Sequence, residues 1–138
     1  MDIQFINCKE WGIEPKSFTV YIKRLKKYIP DTEGVLNVVF VNDSYIRALN
    51  KRYRDNDKPT DVLSFSYINL IDLKNSGLIG EIYISVPTAE MQAKEYKWKL
   101  ENELCKLFVH GFLHIFGYDH ESDEDYKKMV RLEEEILS

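Results

Sequence analysis

Three histidines occur in this chain of 138 residues, and all three fall within eleven consecutive positions, His110, His114 and His120, in the stretch HGFLHIFGYDH. Two histidines spaced four apart on a helix differ by about 40° around the axis and roughly one turn along it, so their imidazoles address a common point. Gly117 lacks a Cβ and suits the left-handed conformation that ends helices, which would turn the chain and bring His120 back to that point. Neutral imidazole is a good zinc ligand, and three protein ligands with one open position leave room for a reactive water. The expectation is therefore one bound zinc ion at His110, His114 and His120, with nickel or another divalent ion as a chemical alternative.

Two plainer explanations compete with that one. Histidines on an apolar helix can be packed, hydrogen-bonded core residues, and a zinc ion can be purely structural. Closed structural sites favour four ligands rich in cysteine, whereas Cys8 and Cys105 lie far apart and form no CxxC pair. Small buried or surface residues in a reducing compartment account for both cysteines.

The elements that must position the histidines follow from periodicity. Ile3 and Phe5 alternate with polar neighbours between Asp2 and Cys8, as in a half-buried strand. From Pro15 to Pro30 an amphipathic helix is expected, with Phe18, Tyr21, Ile22, Leu25, Tyr28 and Ile29 on its apolar face. VLNVVFV at Val35 to Val41 is short and β-branched, the pattern of a central strand. Asn42, Asp43 and Ser44 offer caps to a helix carrying Ile46, Leu49 and Tyr53 that ends near Arg54. DNDKP then breaks the pattern before a third strand at VLSFS, and Asn69 to Gly77 is expected as a loop. EIYIS forms a fourth strand, Pro87 opens another helix, and a long apolar face from Leu100 to Ile115 marks a buried helix that carries His110 and His114. Ser122 and Asp125 resemble a capping box before a last amphipathic helix lined by Tyr126, Met129, Val130 and Ile136. The sum is a single α+β domain over residues 1–138: a four-stranded mixed sheet with about five helices packed over it, the metal helix lying against the sheet.

Composition narrows the function classes. The chain is 44% hydrophobic and 30% charged, as in ordinary globular proteins, and no apolar run approaches a membrane span. No basic-then-apolar leader occurs at the N-terminus, so the cytoplasm is expected and a membrane partner is not. A net charge of −4 argues against coating nucleic acid by bulk electrostatics. Lys23, Arg24, Lys26 and Lys27 form one basic segment and Lys51, Arg52, Arg54 and Lys58 another. Either is explained by a solvated face, while a confined basic groove would serve an RNA backbone.

YRDNDKPTDVLSF at Tyr53 to Phe65, GEIYIS at Gly80 to Ser85 and HGFLHIFGYDH at His110 to His120 together resemble the YbeY family, the bacterial endoribonucleases of ribosomal RNA maturation. The resemblance spans about half the chain, and it departs at Glu81, where many members carry aspartate. It implies zinc at His110, His114 and His120, a functional arginine at Arg54, and RNA as substrate. It also implies a part in small-subunit ribosomal RNA processing and ribosome quality control, with the ribosome or its associated proteins as partners. On that basis zinc would activate water, a bidentate Arg54 would stabilise charge on the phosphate, and Asp119, Asp61 and Glu81 are candidate proton carriers. Attack by the RNA 2′-hydroxyl is the alternative route. The histidine block also looks like the metzincin protease signature HExxHxxGxxH, but Gly111 stands where those enzymes place the general base, which leaves peptidase activity an outlying reading. A ribosome-assembly or RNA-binding factor with a structural zinc is the main rival.

Overall fold

A computed structural model describes residues 1–68, 77–119 and 121–138, so the expected loop from Asn69 lies, up to Gly77, outside the described residues, as does His120. Four strands, β1 (Asp2–Ile6), β2 (Val35–Val41), β3 (Val62–Ser66) and β4 (Leu78–Ser85), form one sheet in the order β1-β2-β4-β3. β1 and β4 run parallel to β2, while β3 pairs antiparallel with β4, so the sheet is mixed, as expected. Its β3 edge has no neighbouring strand among the described residues.

Six α-helices are described: α1 (Cys8–Trp11), α2 (Thr19–Leu25), α3 (Asp43–Arg54), α4 (Val86–Tyr96), α5 (Leu100–Ile115) and α6 (Asp123–Leu137). Alternation sorts the strand side chains onto two faces. Leu36, Val38, Phe40, Ile82 and Ile84 are fully buried in the main core, together with Phe18, Phe108 and Phe112. The opposite face carries a smaller cluster of Val39, Val41, Leu63 and, from α3, Ile46. Helix α3 thus lies on one side of the sheet and the histidine helix α5 on the other.

Two expectations needed revision. The first strand stops at Ile6, because Asn7 takes a left-handed φ of 68° and Cys8 begins the short helix α1. The helix expected from Pro15 to Pro30 divides into a 3-10 turn, Pro15–Phe18, and the seven-residue α2, after which the chain continues in turns. Its apolar residues still reach the core at Phe18 and Leu25. Part of the first basic segment is structural: Arg24 Nη1 donates to the Ile136 carbonyl at 2.6 Å, satisfying a carbonyl of the last turn of α6.

Gly111 has a packing reason. A Cβ there would stand 2.9 Å from Ile82 Cγ2 and 3.4 Å from Val62 Cγ2, so glycine lets α5 approach β3 and β4 closely. The same contact blocks a longer side chain, including the glutamate that a metzincin places at this point of its motif. At the other end Gly117 adopts a φ of 94°, and its N–H donates to the His114 carbonyl, stopping the helix as the sequence suggests.

Candidate metal centre and phosphate cleft

His110 and His114 lie on one side of α5, half-buried beside β3. Their Nε2 atoms are 3.1 Å apart and their rings cross at 75°. Two ligand nitrogens around a tetrahedral zinc, each at about 2.0–2.1 Å, stand about 3.3 Å apart. The pair therefore fits one shared cation. A direct hydrogen bond between the rings instead requires a proton on one of the two nitrogens, so taking up a cation there would release it. Among the described residues no group of three or more potential ligands converges, and the expected third ligand, His120, lies outside them.

The sequence reading missed Glu133. Its Oε1 lies 2.5 Å from His110 Nδ1, and an ionised carboxylate only accepts, so Nδ1 donates and Nε2 keeps its lone pair for a metal. Helix α6 brings Glu133 there because Met129 and Ile136 are buried on the same stripe and Ser122 Oγ accepts the Asp125 N–H at the helix start. A carboxylate four residues after Met129, on the buried face of an amphipathic helix, was the available signal. Asp119, one of the candidate proton carriers, accepts the Glu121 N–H at 3.3 Å and so shapes the turn after α5.

Arg54 arrives from the other side. Asp55 ends α3 with a left-handed φ of 54°, and the following loop is tied back to the helix. Buried Asn50 donates to the Lys58 carbonyl at 2.9 Å, and Arg47 pairs with Asp57 at 2.9 Å, which holds the Asp57 carboxyl below its usual range. Arg54 Nη2 donates to the Ser64 carbonyl on the open edge of β3 at 3.0 Å, and its guanidinium sits 4.8 Å from the Phe65 ring centroid. One of five donors is used there, so most of the fork remains for an anion. Arg54, Asp61, Ser64, His110 and His114 line one cleft of about 510 Å³. Lys51 and Arg52 share the last turn of α3 with Arg54.

The candidate proton carriers separate. Asp61 is the one carboxylate among the described residues lining the cleft. Its Oδ1 accepts the Val62 N–H at 2.8 Å and its Oδ2 the Gln92 amide at 3.3 Å. Glu81 lies on the opposite face of the sheet, in register with Phe65 and accepting the Tyr67 hydroxyl at 2.7 Å and the Tyr83 hydroxyl at 2.9 Å. Burial, with the Glu81 carboxylate second, pushes both phenols well above their ordinary range. Glu81 is thereby removed from the histidine site.

Known proteins resemble the chain over nearly its whole length. The family model described as Endoribonuclease YbeY matches residues 7–138. An Acholeplasma laidlawii protein named Endoribonuclease YbeY is 39% identical over 138 residues, covering 100% of this chain and 96% of its own. An Oceanobacillus iheyensis protein of the same name is 44% identical over 128 residues, covering 84% of this chain and 83% of its own. The solution structure of a Thermotoga maritima protein superposes with a TM-score of 0.61 at 30% identity, covering 98% of this chain and 86% of that one. The chain belongs to the endoribonuclease YbeY family of RNA-cleaving hydrolases.

Proposed function

We propose that this chain is a zinc-dependent, single-strand-specific endoribonuclease of the cytoplasm, acting in small-subunit ribosomal RNA maturation and ribosome quality control. The observation that carries the reading is the shared cleft: an arginine fork and a convergent imidazole pair face one space on the open edge of a sheet. Phosphodiester cleavage needs both, because negative charge accumulates on the non-bridging oxygens as the bond breaks. Arg54 binds two of those oxygens or one oxygen and the 2′-hydroxyl, and its contacts with the Phe65 ring and the Ser64 carbonyl hold the guanidinium in place. His110, His114 and, by its place in the motif, His120 would hold the zinc ion. When bound, that ion would supply Lewis acidity to a phosphate oxygen and lower the pKa of water to about 7. Glu133 keeps His110 in the tautomer that offers Nε2. Asp61, at the cleft wall, accepts a proton from the attacking oxygen or returns one to the leaving oxygen.

The test is cleavage of a defined single-stranded RNA by purified protein under single-turnover conditions, with the new ends identified. A 5′-phosphate with a 3′-hydroxyl fits water as nucleophile, whereas a 2′,3′-cyclic phosphate assigns attack to the 2′-hydroxyl. RNA binding without cleavage by protein of verified zinc content would instead favour an assembly factor with a structural metal.

A further inference from the structure

A second cavity, of about 250 Å³, lies between α5 and α6 on the far side of His110 from the cleft. Asp61, Val62 and His110 line both spaces, so the cavity continues the cleft. Its walls are the Tyr126 ring, Met129 and Val130, and its polar groups are Lys106, Glu133 and Asp61. Tyr126 is 54% exposed, while Met129 is buried and gives the cavity a fixed floor. The space falls below the roughly 300–1,000 Å³ of pockets that enclose drug-sized ligands, and it suits a single planar ring system.

We propose that this cavity is the subsite for the nucleobase adjoining the scissile phosphate, and that it selects guanine. The proposal rests on the endoribonuclease reading for its substrate class, and on the continuity of the two spaces for its position. A base has an apolar face and a polar edge, and the cavity offers the matching pair: an aromatic and aliphatic wall and a charged rim. The two carboxylates set the preference. Guanine presents adjacent N–H donors at N1 and N2, so it alone among the bases can give two hydrogen bonds to one carboxylate. Glu133 and Asp61 already accept from His110, Val62 and Gln92, yet a carboxylate pair holds about eight lone-pair positions, so capacity remains. Uracil offers a single N–H donor and makes one hydrogen bond to that carboxylate where guanine makes two, a loss that a site built on hydrogen bonds penalises.

Two readouts on zinc-loaded full-length protein test this. The first is equilibrium binding of short 2′-O-methyl oligouridines carrying one guanine, one adenine, one cytosine or none. The guanine strand is expected to bind roughly ten- to a hundredfold tighter than oligouridine, and Tyr126→Ala to reduce that advantage to about twofold while Tyr126→Phe retains it. Zinc content and circular dichroism show that each variant is intact, and Val130→Trp, which fills the cavity from the same helix, gives an independent second loss. The second readout is the position of cuts in single-stranded RNA of mixed sequence, expected beside guanine. Guanine-selective binding without cleavage would retain the subsite and remove the endoribonuclease reading. Cleavage with equal affinity for all four strands, or a guanine preference that survives both Tyr126→Ala and Val130→Trp, overturns the subsite.

Discussion

Replacing Gly111 by alanine opposes two effects whose sizes are known separately. Alanine is favoured over glycine inside a helix by about 0.8–1.0 kcal/mol, so an exposed position would gain stability. Here the added Cβ stands 2.9 Å from Ile82 Cγ2, with Ile82 fully buried on a central strand, and 3.4 Å from Val62 Cγ2. Neither neighbour is the free end of a flexible chain, and overpacking of this kind costs about 1–3 kcal/mol. The overpacking term wins, and the net loss is about 1 kcal/mol, or a Tm lower by roughly 3–6 °C. Urea and thermal unfolding of chelated protein measure it. Ile82→Ala removes the obstructing methyl, so the double variant is expected to be more stable than the two single losses added together, by about 0.5 kcal/mol or more. Ile82→Val keeps that methyl and gives no such relief. A Gly111→Ala protein more stable than the parent by the full helix term would refute the close-approach argument. So would strict additivity with Ile82→Ala.

Three further outcomes follow from the same geometry. Glu133→Ala should weaken zinc affinity about ten- to a hundredfold in a chelator competition, with Glu133→Gln, whose amide oxygen still accepts from Nδ1, losing less; equal affinities for all three proteins would deny the orienting role. Arg54→Ala should leave zinc content and folding intact while lowering single-turnover RNA cleavage by about a hundred- to a thousandfold, and an unchanged rate would remove it from the mechanism. Glu103 is fully buried on α5 with Lys106 at 3.7 Å, and burial, the largest influence, holds its carboxyl above the ordinary 4.5. Because the folded state keeps that proton more tightly than the unfolded state, stability should fall as pH rises from 4.5 through the raised folded value. Glu103→Gln should flatten the fall, and an identical pH profile in the variant would contradict it.

Much of this arrangement is legible in the sequence where a short-range pattern decides the outcome. β2 and β3 coincide with the apolar runs VLNVVFV and VLSFS, and α3 begins after the Asn42 cap and ends at Arg54, because caps and alternation act within a few residues. The His110 and His114 spacing likewise translates directly into convergent nitrogens. Long-range pairings were not legible. Alternation separates Glu81 from Ile82, but it does not say which face receives the histidine helix, and that choice removes Glu81 from the site. Glu133 meets His110 across 23 residues, through the docking of α6, and local periodicity marks it only as a misplaced charge on an apolar stripe. The four-residue α1 is bounded by left-handed residues at Asn7 and Gly12 and is too short to carry a period. No helix among the described residues is long and apolar enough to cross a membrane, which agrees with the hydropathy of the sequence.

The central claim joins a histidine-held metal to RNA cleavage in one cleft, and a paired measurement on one sample tests it. Zinc per chain is determined by elemental analysis, and single-turnover cleavage of a single-stranded RNA is followed for the parent protein and for His114→Ala. The account predicts about one zinc ion per parent chain, most of it lost in the variant together with cleavage. Undiminished zinc in His114→Ala would contradict the ligand assignment, and full cleavage by a zinc-free variant would contradict the metal-dependent mechanism.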